Sequence, residues 1–277
     1  MFEEFAAAAQ ETAREAGALL IKYEREQAYR VENKGTEYDF VTDADRDSQA
    51  LIRSMLRKRF PEIGFIGEED GLSDAEIAEM LQKGGVDGKF WICDPLDGTL
   101  NYIRHLGGYA VSVALVAGGK SVCGAIYTPV EDEMYTAILG KGAYLNGHPI
   151  FASDCRSLSK ALTDSAVPVS DMRLRARFPK WQNAVIPATL NERMLGSSAR
   201  AQALTAAGRL DAYWEIGPHP WDVAAGTLIA REAGARVSTV DGKPYALGNP
   251  SVCVCAPGIW QELTSVVSAS DAAFSAE

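Results

Sequence analysis

Residues 90–101, Phe-Trp-Ile-Cys-Asp-Pro-Leu-Asp-Gly-Thr-Leu-Asn, constrain this chain more than any other stretch. A short apolar run, suited to a buried strand, empties into Asp94 and Asp97, with Pro95 between them and Gly98-Thr99 directly after. Pro95 fixes its own φ and keeps Asp94 out of a helix, so the two carboxylates can converge at the strand end. Gly98 lets backbone N–H groups come close to an anion. Carboxylate and carbonyl oxygens suit hard cations, Mg²⁺ above all where a phosphate supplies the remaining ligands. Read locally, the same residues also spell an ordinary Asp-Pro turn followed by Asp-Gly.

The rest of the chain places further acids at the ends of elements. Residues 2–28 carry Phe2, Phe5, Ala9, Ala13, Ala16, Leu20 and Tyr23 near helical spacing, which predicts an amphipathic helix on a core. A polar loop from Glu32 to Asp39 follows. Thr42-x-x-Asp45 has the pattern of a capping box and puts Asp45 in the first turn of a helix through Leu51, Ile52, Met55 and Leu56. Asp43, Asp45 and Asp47 alternate as in a calcium loop, but Ser48 and Ser54 stand where an EF-hand needs glycine and glutamate. Acids complementing a helix N-terminus are the local alternative. Phe65-Ile66-Gly67-Glu68-Glu69-Asp70 is another apolar stub ending in carboxylates.

A short helix and a Gly-Gly turn over 73–85 lead into the central strand. Residues 110–116, 122–127 and 133–138 read as strands of an antiparallel sheet, with Asn146-Gly147 as a hairpin turn. Beyond a shift in composition near Cys155–Ser159, the pattern predicts a strand at 162–166, a basic helix at 171–180, a strand near Ala184, a helix at 199–207 and a strand at 211–216. Arg173, Arg175 and Arg177 read as a solvated helix face. Asp222 opens an apolar helix to about Ala233, and a strand at 252–256 and a helix at 259–267 complete the chain before a frayed end.

At 277 residues and 47% hydrophobic content the chain can bury one large core or two. Its apolar runs are too short to span a bilayer and the acidic start Met1-Phe2-Glu3-Glu4 lacks a basic flank, so no membrane partner and a cytoplasmic location are expected. Five cysteines without a Cys-x-x-Cys suggest neither a disulfide framework nor a zinc knuckle, and Cys253 and Cys255 fit one strand face as small apolar residues. With 27 basic against 37 acidic residues, a net charge of −10 argues against a nucleic-acid partner. A phosphate binder of that charge needs bound divalent metal to invert the local potential.

Three stretches, Gly67-Glu68-Glu69, Asp94-Pro-Leu-Asp-Gly-Thr99 and Trp221-Asp222, resemble in order and spacing the motifs of the inositol monophosphatase superfamily of metal-dependent, lithium-sensitive phosphatases. One departure is Gly234-Ala235, where the family often has Gly-Gly. The resemblance spans nearly the whole chain and implies an α/β fold, a layered αβαβα sandwich. Its halves would be 1–155, with an antiparallel sheet and most metal ligands, and 156–277, which supplies Asp222 and the substrate pocket. Glu68, Asp94, Asp97, Asp222 and the backbone carbonyl of Leu96 are the implied ligands of two or three Mg²⁺ ions. Asp45 and Thr99, with Glu68, match the group that orients and deprotonates the attacking water. Asp97, Gly98 and Thr99 would meet the phosphate, while Gly196, Ser197, Ser198 and Glu215 match the segments that line the pocket for a ring hydroxyl. A homodimer is also implied, and His219 lies within reach of such a site.

The expected reaction is hydrolysis of a small polyol phosphate, myo-inositol 1-phosphate in the first instance, by metal-activated water without a covalent intermediate. Relatives with the same metal core hydrolyse histidinol phosphate, fructose 1,6-bisphosphate or 3′-phosphoadenosine 5′-phosphate, and the core motifs do not choose among them. An aspartyl-phosphate enzyme wants the aspartates of its motif two apart, where Asp94 and Asp97 stand three apart; a thiolate phosphatase wants a cysteine in an Arg-ending loop and a serine triad a Gly-x-Ser-x-Gly, and neither is present. A reading of another class is a non-catalytic metal- or phosphate-binding module. Against it stands the joint presence of Asp45, Glu68, Asp94, Asp97, Thr99 and Asp222.

Overall fold

The structure, a computed structural model, describes residues 2–34, 37–83, 88–168 and 170–272. Helix α1 (Glu3–Glu26) precedes a two-stranded ribbon, β1 (Val31–Asn33) against β2 (Phe40–Thr42), and then α2 (Asp43–Arg59). The polar loop predicted at 32–39 is therefore the tip of a hairpin, of which Gly35 and Thr36 lie outside the described residues. Next come β3 (Gly64–Gly67), α3 (Asp74–Lys83), β4 (Lys89–Asp97), α4 (Thr99–Ile103), β5 (Ala110–Ala117), β6 (Lys120–Thr128), β7 (Glu133–Ile138), β8 (Ala143–Leu145) and β9 (His148–Ile150). The Gly84-Gly85 turn falls outside the described residues.

Strands β3 to β9 form one seven-stranded sheet in chain order. The antiparallel expectation holds from β4 onward, but β3 and β4 run parallel, because the α3 crossover returns the chain to the same end. Asn146-Gly147 turns β8 into β9 with both residues at positive φ, 49° and 80°, as a two-residue hairpin requires.

The second half contains β10 (Leu162–Ala166), α5 (Met172–Val185), β11 (Asn191–Arg193), α6 (Ser198–Ala206), β12 (Ala212–Ile216), α7 (Pro220–Glu232), β13 (Arg236–Ser238), β14 (Ser251–Cys255) and α8 (Trp260–Ala272). Its five strands pair in the order β11-β10-β12-β14-β13. The strand predicted near Ala184 is absent: α5 continues through Pro179 to Val185. Phe178, Trp181 and Val185 recur at helical spacing and are buried together, which outweighs the hydrogen bond that Pro179 forfeits. The unpredicted edge strand is Asn191–Arg193.

Three apolar clusters separate five layers. Ala9, Ala13, Ala16 and Leu20 of α1 pack with Trp91, Val111 and Val113 on one face of the large sheet. A Cβ on Gly17 would lie 2.5 Å from the Tyr127 ring, so α1 sits that close only because its inner face is small. Helices α6 and α7 fill the space between the sheets, where Ala203, Ala225 and Leu228 meet Ile92 and Ile126 of one sheet and Val252 and Val254 of the other. Helices α5 and α8 cover the outer face of the small sheet, with Cys253 and Cys255 buried side by side beneath them. The result is the expected αβαβα sandwich, with α6 and α7 as its middle layer.

Candidate active site

The acidic motif is a distorted strand, not the loop after one. β4 runs through Asp94, Pro95 and Leu96 to Asp97, and its pairing with β5 slips between Asp94 and Asp97. Pro95 has no N–H for the ladder, so a bulge is where a sheet tolerates it. The bulge is tied from both sides: Ser48 Oγ of α2 donates to Pro95 O at 3.1 Å, and Leu96 N donates to Asp94 Oδ1 at 3.0 Å. Gly98 follows at φ 98°, and a Cβ there would lie 3.1 Å from Gly196 O. That glycine is what lets the motif abut the 196–198 segment of the other half.

Asp97 faces the start of α6. Its carboxylate accepts from Ser197 Oγ at 2.5 Å, Ser198 N at 3.1 Å and Ala199 N at 2.6 Å. Burial pushes its carboxyl up to about 6; the Ser197, Ala199 and Ser198 bonds oppose that and the Glu68 charge reinforces it. Asp94 is raised well above the carboxylate range by burial and by the charges of Glu68, Asp97 and Asp222. Asp222, in the first turn of α7, accepts from His219 N at 2.7 Å and is raised by burial and by Glu215, Asp97 and Glu68. These four acids, Glu68, Asp94, Asp97 and Asp222, feel one another although they are drawn from three separate stretches of chain.

Asp45 arrives as its capping box predicts. Thr42 N donates to Asp45 Oδ2 at 2.8 Å, and Thr42 Oγ1 accepts from Ala44 N and Asp45 N at 3.1 and 3.3 Å. Its other oxygen, Oδ1, lies 3.0 Å from Thr99 Oγ1, which is also 3.1 Å from Leu96 O. One hydroxyl hydrogen serves only one of those acceptors at a time. Asp45 is fully buried, and burial lifts its carboxyl to about 6 against the Thr42 hydrogen bond.

A cavity of about 490 Å³ is lined by Glu68, Asp97, Gly98, Thr99 and Asp222 on one side and by Gly196, Ser197, Ser198 and Glu215 on the other. Asp94, Leu96 and Asp45 stand behind that lining rather than in it. Glu215 on β12 is buried, and its carboxyl is raised to about 7, by burial first. His219, also on the cavity wall, stacks on Trp221 with ring centroids 4.8 Å apart. The structure thus brings the expected site residues to one place.

Several lining residues had no sequence signal, and Lys34 is the charged one that touches a predicted ligand. Lys34, at the tip of the β1–β2 hairpin, sets Nζ 2.8 Å from Glu68 Oε1 and also against Glu69. Burial works to lower its pKa, but the two carboxylates outweigh that and raise it. A lysine in a polar loop reads as solvated surface, and only the packing of the hairpin over the Glu68 turn puts it here. That turn is itself held on α2, where Gln49 accepts from Glu69 N at 2.9 Å and donates to Asp70 Oδ1 at 3.1 Å.

The donor set is entirely oxygen, which suits a hard divalent cation. Buried carboxylates that raise one another's pKa lack a compensating charge, and Lys34 supplies one only at the Glu68 end. Among the described residues, no three Asp, Glu, His or Cys side chains close into a metal-holding group. Glu68, Asp97 and Asp222 line the cavity and Asp94 stands behind them, without forming a finished coordination sphere.

Clustered acids beside the N–H groups of a helix start are suited to holding a phosphate ester and its metal, and phosphatase is the class to which this chain belongs. The model described as the Inositol monophosphatase family matches residues 1–271, and the chain is a member of that family. It is 36% identical over 248 residues to the Nus factor SuhB of Escherichia coli, covering 87% of this chain and 89% of that protein. It is 37% identical over 214 residues to the Inositol-1-monophosphatase of Mesorhizobium japonicum, covering 77% of each. The crystal structure of the extragenic suppressor protein suhB from Bartonella henselae superposes with a TM-score of 0.86 at 31% identity, over 96% of this chain and 98% of that one. No helix among the described residues is long and apolar enough to cross a membrane.

Proposed function

We propose that this chain is a Mg²⁺-dependent phosphomonoesterase that hydrolyses a small polyol phosphate, myo-inositol 1-phosphate in the first instance, to the free polyol and phosphate. The observation that carries the reading is the 3.0 Å contact between Asp45 Oδ1 and Thr99 Oγ1, set directly behind the acids of the cavity. Were Leu96 O to serve as a metal ligand, the Thr99 hydrogen would go to Asp45, leaving the Thr99 oxygen to accept a proton from water. A carboxyl lifted to about 6 is a better base near neutral pH than an ordinary aspartate. Water deprotonated there would attack phosphorus directly, without a covalent intermediate.

Glu68, Asp94, Asp97, Asp222 and Leu96 O would hold two or three Mg²⁺ ions. Bound there, the metal supplies a low pKa for the attacking water and charge neutralisation on phosphate and leaving oxygen. Asp97 uses three of its roughly four acceptor directions on α6, so it is oriented with one left for a cation. Gly98 and Thr99 N–H groups would bind phosphate oxygens, and Glu215 with Ser197 and Ser198 would meet the polyol.

Support also comes from the relative in Mesorhizobium, whose name states inositol 1-monophosphatase activity. The name Nus factor borne by the Escherichia coli relative is of another kind and is not carried over to this chain. The reading includes a cytoplasmic location and a homodimer, which gel filtration near twice the 29.8 kDa chain mass would bear out. The deciding experiment is phosphate release from myo-inositol 1-phosphate, histidinol phosphate, fructose 1,6-bisphosphate and 3′-phosphoadenosine 5′-phosphate, with Mg²⁺ and with EDTA. Turnover of the inositol ester only with Mg²⁺ is expected; preference for a bisphosphate overturns the substrate choice, and no turnover of any ester overturns the enzyme.

A further inference from the structure

Glu215 and Ser198 are joined behind the cavity wall by a residue outside its lining. Tyr213 is fully buried in the layer between the sheets, two positions before Glu215 on β12 and hence on the same sheet face. Its Oη lies 2.6 Å from Glu215 Oε2 and 2.7 Å from Ser198 Oγ. A phenol has one hydrogen, and an ionised carboxylate can only accept. The phenol hydrogen therefore goes to Glu215, and Ser198 turns its own hydrogen inward to the phenol oxygen. The Ser198 backbone is held in place, its N–H by Asp97 at 3.1 Å and its carbonyl by Gln202 Nε2 at 3.0 Å, so the hydroxyl starts from a fixed point beside the phenol. What both side chains offer to the cavity is lone pairs.

We infer that Tyr213 is a positioning residue that sets Glu215 and Ser198 as two adjacent acceptors, selecting an ester whose alcohol part donates two neighbouring hydroxyls. The inference rests on the phosphatase reading of the same cavity. Burial pushes the Glu215 carboxyl up to about 7, and the Tyr213 hydrogen bond works against that rise, keeping the acceptor form available near neutral pH. Remove the phenol oxygen and both consequences follow at once: Glu215 loses its fixed orientation, and the Ser198 hydrogen is freed to point at the ligand, where it opposes a donor.

Tyr213→Phe in the full-length chain tests this with two esters, myo-inositol 1-phosphate, which has a vicinal diol beside the phosphate, and 4-nitrophenyl phosphate, which has no hydroxyl. The expected result is a KM for the inositol ester raised about tenfold with kcat within about twofold, the loss of one hydrogen bond to a charged group. Both constants for the nitrophenyl ester should stay within about twofold of the parent. Equal losses on both esters, or no change on either, would overturn the positioning role. Glu215→Gln run in parallel separates the two levels of the argument. If it weakens the inositol ester selectively while Tyr213→Phe does not, the positioning inference falls and the polyol reading stands; if neither variant distinguishes the esters, the polyol reading falls with it. Should Tyr213→Phe not fold, Ser198→Ala takes its place, with the same selective rise in KM expected and an unselective or null effect overturning the inference.

Discussion

The carboxylate of Asp97 in β4 accepts the backbone N–H of Ala199 in α6 at 2.6 Å, across 102 residues of chain. An acid read as a metal ligand is thus also the cap of a helix in the opposite half, and the two jobs constrain each other. The cap fixes the carboxylate's rotation, and the orphan N–H groups of α6 gain a charged acceptor in return. The motif and the 196–198 pocket segment are thus held together at two points, at the Asp97 carboxylate and where Gly98 abuts Gly196.

Asp97→Asn should abolish Mg²⁺-dependent turnover, by about a hundredfold or more, because the loss falls on charge stabilisation in the reaction. The chain should still fold: asparagine retains one acceptor for α6, and the lost capping costs about 1–2 kcal/mol. Initial rates with Mg²⁺ alongside a thermal melt measure both. Full activity in this variant would refute the metal assignment.

Thr99→Ala should cut kcat about a hundredfold or more, and Thr99→Ser should restore most of it, since only the hydroxyl reaches Asp45. The check is kcat for both variants at saturating ester. Equal activity in the alanine and serine variants would remove Thr99 from the proton path.

Asp164 carries a pH prediction that is independent of catalysis. It is buried on β10 and accepts from Leu195 N at 3.0 Å; burial pushes its carboxyl up to about 7. The folded state thus holds a proton that the unfolded chain releases near pH 4, so this group's contribution to stability falls as pH rises from about 4 to about 7 and levels off above. Asp164→Asn removes that dependence. Melting curves should show the variant gaining on the parent, by a few kcal/mol at most, as pH rises across that window. A stability difference independent of pH would count against the shift.

Gly17→Ala should destabilise the protein although alanine is the better helix former. The propensity gain is about 1 kcal/mol, whereas an added Cβ meets the Tyr127 ring at 2.5 Å and the Pro129 ring at 2.9 Å, an overpacking cost of about 1–3 kcal/mol. A melting temperature at or above that of the parent would show that α1 can move off the sheet freely.

Lithium at submillimolar to millimolar concentration should inhibit ester hydrolysis, a property expected from the family resemblance. Titrating LiCl against NaCl at constant Mg²⁺ and ionic strength measures it. Indifference to lithium would place the chain on a distant branch of the family.

Local patterns were legible where the forces behind them are local. The helical stripe of α1, the Thr42–Asp45 capping box, the Asn146-Gly147 turn and the three acidic motifs all depend on contacts within a few residues, and the motifs' likeness to a known family gave the layered fold. Short-range signals also misled: the pattern ended the basic helix at 180 and put a strand near Ala184, where the packing of Phe178, Trp181 and Val185 carries α5 on to Val185, and Pro95 suggested a turn where β4 carries a bulge.

Sequence alone thus determined which acids were candidates and roughly which elements bear them. Only the tertiary structure decided that Asp97 of β4, Asp222 of α7 and Glu68 line one cavity, that Lys34 closes on Glu68 from a hairpin tip, and that Tyr213 ties Glu215 to Ser198. Those meetings join residues far apart in the chain. They are fixed by how two sheets stack through α6 and α7, a packing of apolar faces that no window of sequence contains.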